Sequence, residues 1–76
     1  MNRARRKVIE TSLASLKEAQ KSLMAVLAAE KEYLGRIPDD DENEDKIDAV
    51  GELIEHLDDA ASNLQEAIDT LDGGDF

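Results

Sequence analysis

The sequence predicts an all-α fold: an antiparallel hairpin of two helices, which pairs with a second copy to form a four-helix bundle. Two segments carry apolar side chains at alternating steps of three and four residues, the spacing of one side of a long helix. A short acidic segment containing the only proline joins them. The chain has 76 residues and no cysteine. So small a domain buries little surface, and without disulfides a partner chain is the expected source of further stability.

The first helix is predicted over residues 3–36. Asn2 precedes it and can accept a hydrogen bond from a backbone N–H of the first turn. Gly35 is predicted to cap its end, and Pro38 follows where the helix cannot continue. The seam of this helix consists of Ile9, Leu13, Leu16, Gln20, Leu23, Leu27, Glu30, Leu34 and Ile37.

Residues 37–43 form the predicted acidic turn, residues 44–72 the second helix, and residues 73–76 a tail after two stopping glycines. One domain therefore covers residues 1–76. The seam of the second helix consists of Ile47, Val50, Ile54, Leu57, Ala61, Leu64, Ile68 and Leu71.

Two local features of this second half carry predictions of their own. The spacings from Asp39 to Glu42 and from Asp41 to Glu44 each match a capping box, in which two side chains satisfy the first N–H groups of a helix. Gly51 lies inside the second helix, where glycine costs about 1 kcal/mol relative to alanine. We therefore expect Gly51 to mark a close approach of the two helices.

Antiparallel packing aligns the two seams layer by layer and places Leu27 opposite Leu57. The predicted core of the hairpin and dimer is Leu13, Leu16, Leu23, Leu27, Leu34, Val50, Ile54, Leu57, Leu64, Ile68 and Leu71. Small or apolar residues flank both seams, at Ser12, Ala19, Val26, Tyr33, Leu53, Ala60 and Ala67. Three such positions per heptad are typical of a bundle helix and exceed what a two-stranded coiled coil uses. The sequence therefore predicts a homodimer.

The net charge of −10 is unevenly distributed. Residues 1–37 carry eight Lys or Arg against four Glu, whereas residues 38–76 carry one Lys against fifteen Asp or Glu. The first half is thus +4 and the second −14. Four of the cations, Arg3, Arg5, Arg6 and Lys7, start the first helix, and the antiparallel path predicts that they lie beside acids at the end of the second helix: Asp69, Asp72 and Asp75.

A stripe of carboxylates follows the second helix on the side away from its seam. We call it the acidic stripe, and it comprises Asp45, Asp48, Glu52, Glu55, Asp59, Glu66 and Asp69. Steps of three and four residues along a helix rise about 4.5 and 6 Å, close to the spacing of phosphates in a nucleic-acid strand. The stripe is therefore either a mimic of nucleic acid or a solvated face that keeps a small bundle in solution.

Other chemistries find little support in the sequence. His56 with Glu52 and Glu55 does not match the Glu-x-x-His spacing of di-iron bundles, so neither a metal nor another cofactor is expected. The basic start lacks interleaved aromatic residues and belongs to a strongly acidic chain, which argues against direct binding of nucleic acid. No serine has a histidine placed as a base. We expect a soluble, cytoplasmic protein that is not an enzyme, with no catalytic residue, signal peptide or membrane span.

Four segments of the chain carry a recognisable pattern: the basic start at residues 2–7, the helix end Glu30–Leu34, the Ile37–Pro38 turn and the acidic, alanine-rich second helix. Together they resemble a group of small helical-hairpin proteins that are encoded in prophages and mobile elements of Gram-positive bacteria. The resemblance covers most of the chain, and Tyr33–Pro38 is its most specific part. It implies a phage or mobile-element origin, a bacterial cytoplasmic setting and an accessory role. The acids after Pro38 depart from the more mixed loop of that group.

These observations lead to two hypotheses about function. In the first, the protein is a dimeric module for protein–protein interaction that binds a partner protein through its helices or its turn. In the second, it inhibits a host nuclease, defence complex or regulator by mimicking nucleic acid with the acidic stripe. The hypotheses differ in whether that stripe is solvated or bound.

Overall fold

The computed structural model describes residues 2–74 and contains two long helices, α1 (Arg3–Arg36) and α2 (Glu44–Asp72). A short connection joins them, and its second half is a 3-10 turn over Asp41–Asn43. The helices lie side by side in a rod of 60 × 14 × 14 Å, and residues 2–74 include no strand. The prediction of an all-helical fold with two helices joined by a short turn is confirmed.

Proline, and not glycine, sets the end of α1. The helix starts as expected, since Asn2 Oδ1 accepts a hydrogen bond from the backbone N–H of Arg5 at 2.9 Å. It then continues through Gly35, which keeps a negative φ, and ends at Arg36. Ile37 takes an extended backbone (φ −73°, ψ 125°) because the ring of Pro38 disfavours the helical conformation in the preceding residue. The predicted cap at Gly35 is wrong.

The turn before α2 is capped by Asp40. Its Oδ1 accepts hydrogen bonds from the backbone N–H of Asn43 at 3.1 Å and from the Asn43 Nδ2 at 2.8 Å. The capping boxes predicted to begin at Asp39 and Asp41 do not form. Asp40 is the residue with an extended backbone directly before the 3-10 turn, so only its side chain lies where the first N–H groups can reach it.

The core lies in a single seam between the two helices. Leu27, Ala61 and Ile68 are buried, each with 4% of its surface exposed. The remaining predicted core residues are half-buried: Leu13, Leu16, Leu23, Leu34, Val50, Ile54, Leu57, Leu64 and Leu71. One stripe on each helix is therefore covered by the other helix, and the part of the chain from residue 2 to residue 74 places no second layer over this core.

Gly51 is not a point of close approach. A Cβ added there would meet no atom within 4 Å, and its φ is not positive. Because glycine gains freedom in the unfolded chain and nothing in the fold requires it here, Gly51→Ala is expected to stabilise the protein by about 0.5–1 kcal/mol. Urea unfolding followed by circular dichroism measures this. A loss of stability would show that a neighbouring helix does approach this position.

Neither helix of the described residues is both long enough and apolar enough to span a bilayer.

Candidate interaction surfaces

Polar side chains link the two helices along one side of the hairpin. Lys17 Nζ lies 3.4 Å from Asp72 Oδ2. Gln20 Nε2 donates to Gln65 Oε1 at 2.6 Å and to the carbonyl of Ala61 at 3.4 Å. These contacts establish the antiparallel register, and we call this side of the hairpin the polar side.

The opposite side carries a different contact, in which Lys46 Nζ lies 5.4 Å from the centre of the Tyr33 ring. The π electrons of an aromatic ring attract a cation placed over its face, and the cation covers part of that ring. Residues seven apart recur on the same side of a helix. The pair therefore marks the side on which the heptad equivalents of Tyr33 and Lys46 also lie, including Val26 and Leu53.

This second side is nearly free of charge, and we call it the neutral face. On α1 and α2 it consists of Val8, Ser12, Ser15, Ala19, Ser22, Val26, Ala29, Tyr33, Ala49, Leu53, His56, Ala60, Asn63, Ala67 and Thr70. None of these residues is Asp, Glu, Lys or Arg, although charged residues make up 37% of the chain. The acidic and basic residues of segments 8–33 and 47–71 lie on other sides of the helices. The uncharged positions therefore form a continuous strip along one side of the rod.

Large apolar side chains are exposed on the neutral face. The accessible fraction is 63% for Val8, 47% for Val26, 39% for Tyr33 and 44% for Leu53. Among the described residues, the other exposed large hydrophobic side chain is Met24, which lines a shallow depression with Gln20 and Gln65 on the polar side. Exposed apolar surface rimmed by polar residues is typical of a contact site.

Part of this face escaped the sequence prediction. The flank residues Val26, Tyr33 and Leu53 were expected to be covered by a second copy, and the single hairpin does leave them exposed. Val8 and the small residues between the flank positions were missed. The sequence does contain a signal for them: uncharged residues recur at steps of four and three along both helices.

The acidic stripe is exposed along its whole length. Two of its members have side-chain partners: Glu52 Oε1 lies 3.6 Å from His56 Nε2, and Asp69 Oδ1 accepts from Gln65 Nε2 at 2.8 Å. The other five make no side-chain hydrogen bond or ion pair with residues 2–74: Asp45, Asp48, Glu55, Asp59 and Glu66. The geometry permits either a solvated face or a bound one.

The basic start of α1 does not lie where the sequence predicted. Within residues 2–74, Asp72 pairs with Lys17, and no ion pair joins Asp69 or Asp72 to the first five residues of α1. The physical reason is length: α1 has 34 residues and α2 has 29. In the observed register α1 therefore extends past the end of α2. The predicted partner Asp75 lies outside the described residues.

The His56 region forms no compact cluster. Its imidazole is well exposed and faces Glu52 at 3.6 Å. Within the described part of the chain, no three His, Cys, Asp or Glu side chains come close enough together to hold a metal ion.

Comparison of the chain with protein-family models, with curated proteins and with solved structures gives no match. The functional argument therefore depends on the surfaces described above.

Proposed function

We propose that this protein is a non-enzymatic interaction module that works as a homodimer, with two hairpins packing through their neutral faces into a four-helix bundle. The observation that carries the proposal is the exposure of Val26, Tyr33 and Leu53 on a face whose own positions include no Asp, Glu, Lys or Arg. Lys46 borders this face at the Tyr33 ring. A solvated face is charged at about a third of its positions, so about five of the fifteen positions of this face would be expected to carry Lys, Arg, Glu or Asp. Covering the neutral face with a copy of itself removes this apolar surface from water.

The size of the face suits such a dimer. On α1 the neutral face runs from Val8 to Tyr33, about 38 Å along the axis, and the rod is 14 Å wide. The face therefore offers about 500 Å² per copy, and two copies bury about 1,000 Å², the size at which specific protein–protein interfaces begin. The small residues of the face, such as Ala19, Ala60 and Ala67, permit helices of the two copies to approach within the usual distance of about 8–10 Å. A dimer of this kind also supplies the second layer that the core lacks.

In this proposal the dimer presents its remaining outer surfaces to a partner protein, in the accessory role that the resemblance to phage and mobile-element proteins implies. The setting is the bacterial cytoplasm. The acidic stripe borders the neutral face, where Glu52 Oε1 lies 3.6 Å from His56 Nε2. From Glu55 onward it remains outside the bundle, where it provides solubility.

The alternative function, mimicry of nucleic acid, is favoured by one observation: five of the seven carboxylates in the acidic stripe have no side-chain partner among residues 2–74. A mimic would offer such a dense, unpaired row of negative charge to the basic groove of a nuclease, defence complex or regulator. Binding of this kind would weaken steeply with salt.

Neutralising the stripe separates the two functions. The variant with Glu52→Gln, Glu55→Gln and Asp59→Asn keeps the seam and the neutral face unchanged. We expect it to fold, to dimerise and to retain the partner that the wild-type protein captures from its host, as identified by affinity purification and mass spectrometry. Loss of that partner with fold and dimer intact would instead support mimicry, as would competition by added DNA.

A further inference from the structure

The start of α1 forms a basic overhang, which we define as Arg3–Val8. All six residues are exposed, and Ile9 is the first residue of α1 that is half-buried. Six helical residues extend about 9 Å. Four of them are cations, and Arg3, Arg6 and Lys7 line one shallow depression with Glu10. The overhang is a short, strongly positive projection from an acidic protein.

The other end of the rod has the opposite charge. We define the acidic end as Asp39, Asp40, Asp41, Glu42, Glu44, Asp45 and Asp48, all of them exposed. One base, Lys46, lies among these seven acids, and it covers the Tyr33 ring. Five of the acids line a depression together with Ile47: Asp39, Asp40, Asp41, Glu44 and Asp48. The two ends of one hairpin are too far apart to meet, since α2 alone spans about 43 Å.

We propose that the two hairpins of the dimer pack antiparallel, so that the basic overhang of each copy contacts the acidic end of the other. This inference rests on the proposed dimer and adds its topology and a second contact surface. A two-fold symmetric pair uses every contact twice. The antiparallel arrangement therefore brings opposite charges together at both ends, whereas a parallel arrangement places the two overhangs together and the two acidic ends together.

A second observation supports this arrangement independently of charge. Val8 continues the neutral face onto the overhang, beyond the point where α2 ends, and 63% of its surface is exposed. Within residues 2–74, no part of its own hairpin lies level with it. When the middles of two antiparallel copies coincide, Val8 of one copy comes level with the Tyr33 end of the other, where apolar surface is also exposed. The neutral face is then matched along its full length.

Spin labels measure the arrangement directly. The chain has no cysteine, so a single cysteine introduced by Asp39→Cys carries the only label of each copy. In an antiparallel dimer the two labels lie about 40–50 Å apart, because they are separated by the length of the hairpin. In a parallel dimer they lie within about 25 Å, since neighbouring helices are about 8–10 Å apart. Double electron–electron resonance distinguishes the two distances, and the shorter one would overturn the proposal.

A label near the middle of the rod provides the control for dimerisation itself. Lys21→Cys places labels close together in either arrangement. No measurable distance at this site would show that the dimer does not form, which would overturn both the proposed function and this inference. A short distance at Lys21 with a short distance at Asp39 would overturn the antiparallel arrangement alone.

Charge reversal tests the contact. Arg5→Glu with Arg6→Glu leaves the overhang without net charge, and it places acids at a helix N-terminus, where they favour the helix. Four charge pairs are lost in the symmetric dimer, so we expect its dissociation constant to rise about tenfold at low ionic strength and less at high salt. The matched control, Lys21→Glu with Lys31→Glu, changes the net charge equally and should have a smaller effect. Tighter dimerisation of the overhang variant would indicate parallel packing and contradict the proposal.

Discussion

Replacing Leu27 by alanine is expected to be among the most destabilising single substitutions in this chain. Leu27 is one of three buried residues within positions 2–74, and the observed register places it near the middle of the seam. Removing a buried leucine side chain costs about 2–5 kcal/mol, because apolar contacts are lost and the cavity closes only partly. A folded protein of this length has a total stability of about 4–11 kcal/mol. We therefore expect the melting temperature to fall by at least about 10 °C.

Met24→Ala is the matched control for this experiment. Met24 lies three residues away on the same helix, with 51% of its surface exposed on the polar side. Substitution of a side chain so exposed should change stability by less than about 0.5 kcal/mol. Thermal unfolding followed by circular dichroism compares the two variants. Similar melting temperatures for both would mean that the seam does not run through Leu27.

The second large effect is expected at the neutral face. Val26→Glu places a carboxylate in the middle of the proposed dimer interface, twice in each symmetric pair. An unpaired charge that loses its water is costly. We expect the dimer to dissociate at least about 100 times more readily, and if folding depends on dimerisation the variant loses its helical signal as well.

The polar side again supplies the control for this substitution. Met24→Glu adds the same charge to the same helix, but on the side that the dimer leaves in water. It should keep both the helical signal and the dimer. Velocity sedimentation of the two variants at equal concentration makes the comparison. Equal loss of the dimer in both would show that net charge, and not the neutral face, controls association.

The all-helical fold was predictable because both helices carry long seams with the period of a helix, and because Pro38 permits only one place for the break. The capping residue was not. Asp39, Asp40 and Asp41 offer the same side chain three times in succession, and the choice of Asp40 depends on the backbone path after the proline, which no local pattern encodes. The predicted cap at Gly35 was wrong for a related reason. Glycine is tolerated inside a helix, and Pro38 restricts the backbone of the preceding residue more strongly than Gly35 favours a helix end.

The surfaces were predictable only in part. The predicted alignment of the two seams already implied that the start of α1 extends past the end of α2. The prediction that Arg5 and Arg6 lie beside Asp72 therefore conflicted with the predicted alignment. The flank residues were found from their apolar character, but the neutral face became visible once Tyr33 and Lys46 were seen on one side and Lys17 and Asp72 on the other. A bound partner leaves no comparable period in the sequence, because its identity depends on a shape and chemistry that lie outside the chain.

Sedimentation equilibrium of the wild-type protein tests the central claim, that the neutral face is covered by a second copy. The account predicts a mass of twice the 8.4 kDa of one chain at micromolar concentrations, with dissociation on dilution and a melting temperature that rises with concentration. A mass of 8.4 kDa that stays constant up to about 1 mM, where even weak association becomes visible, would contradict it.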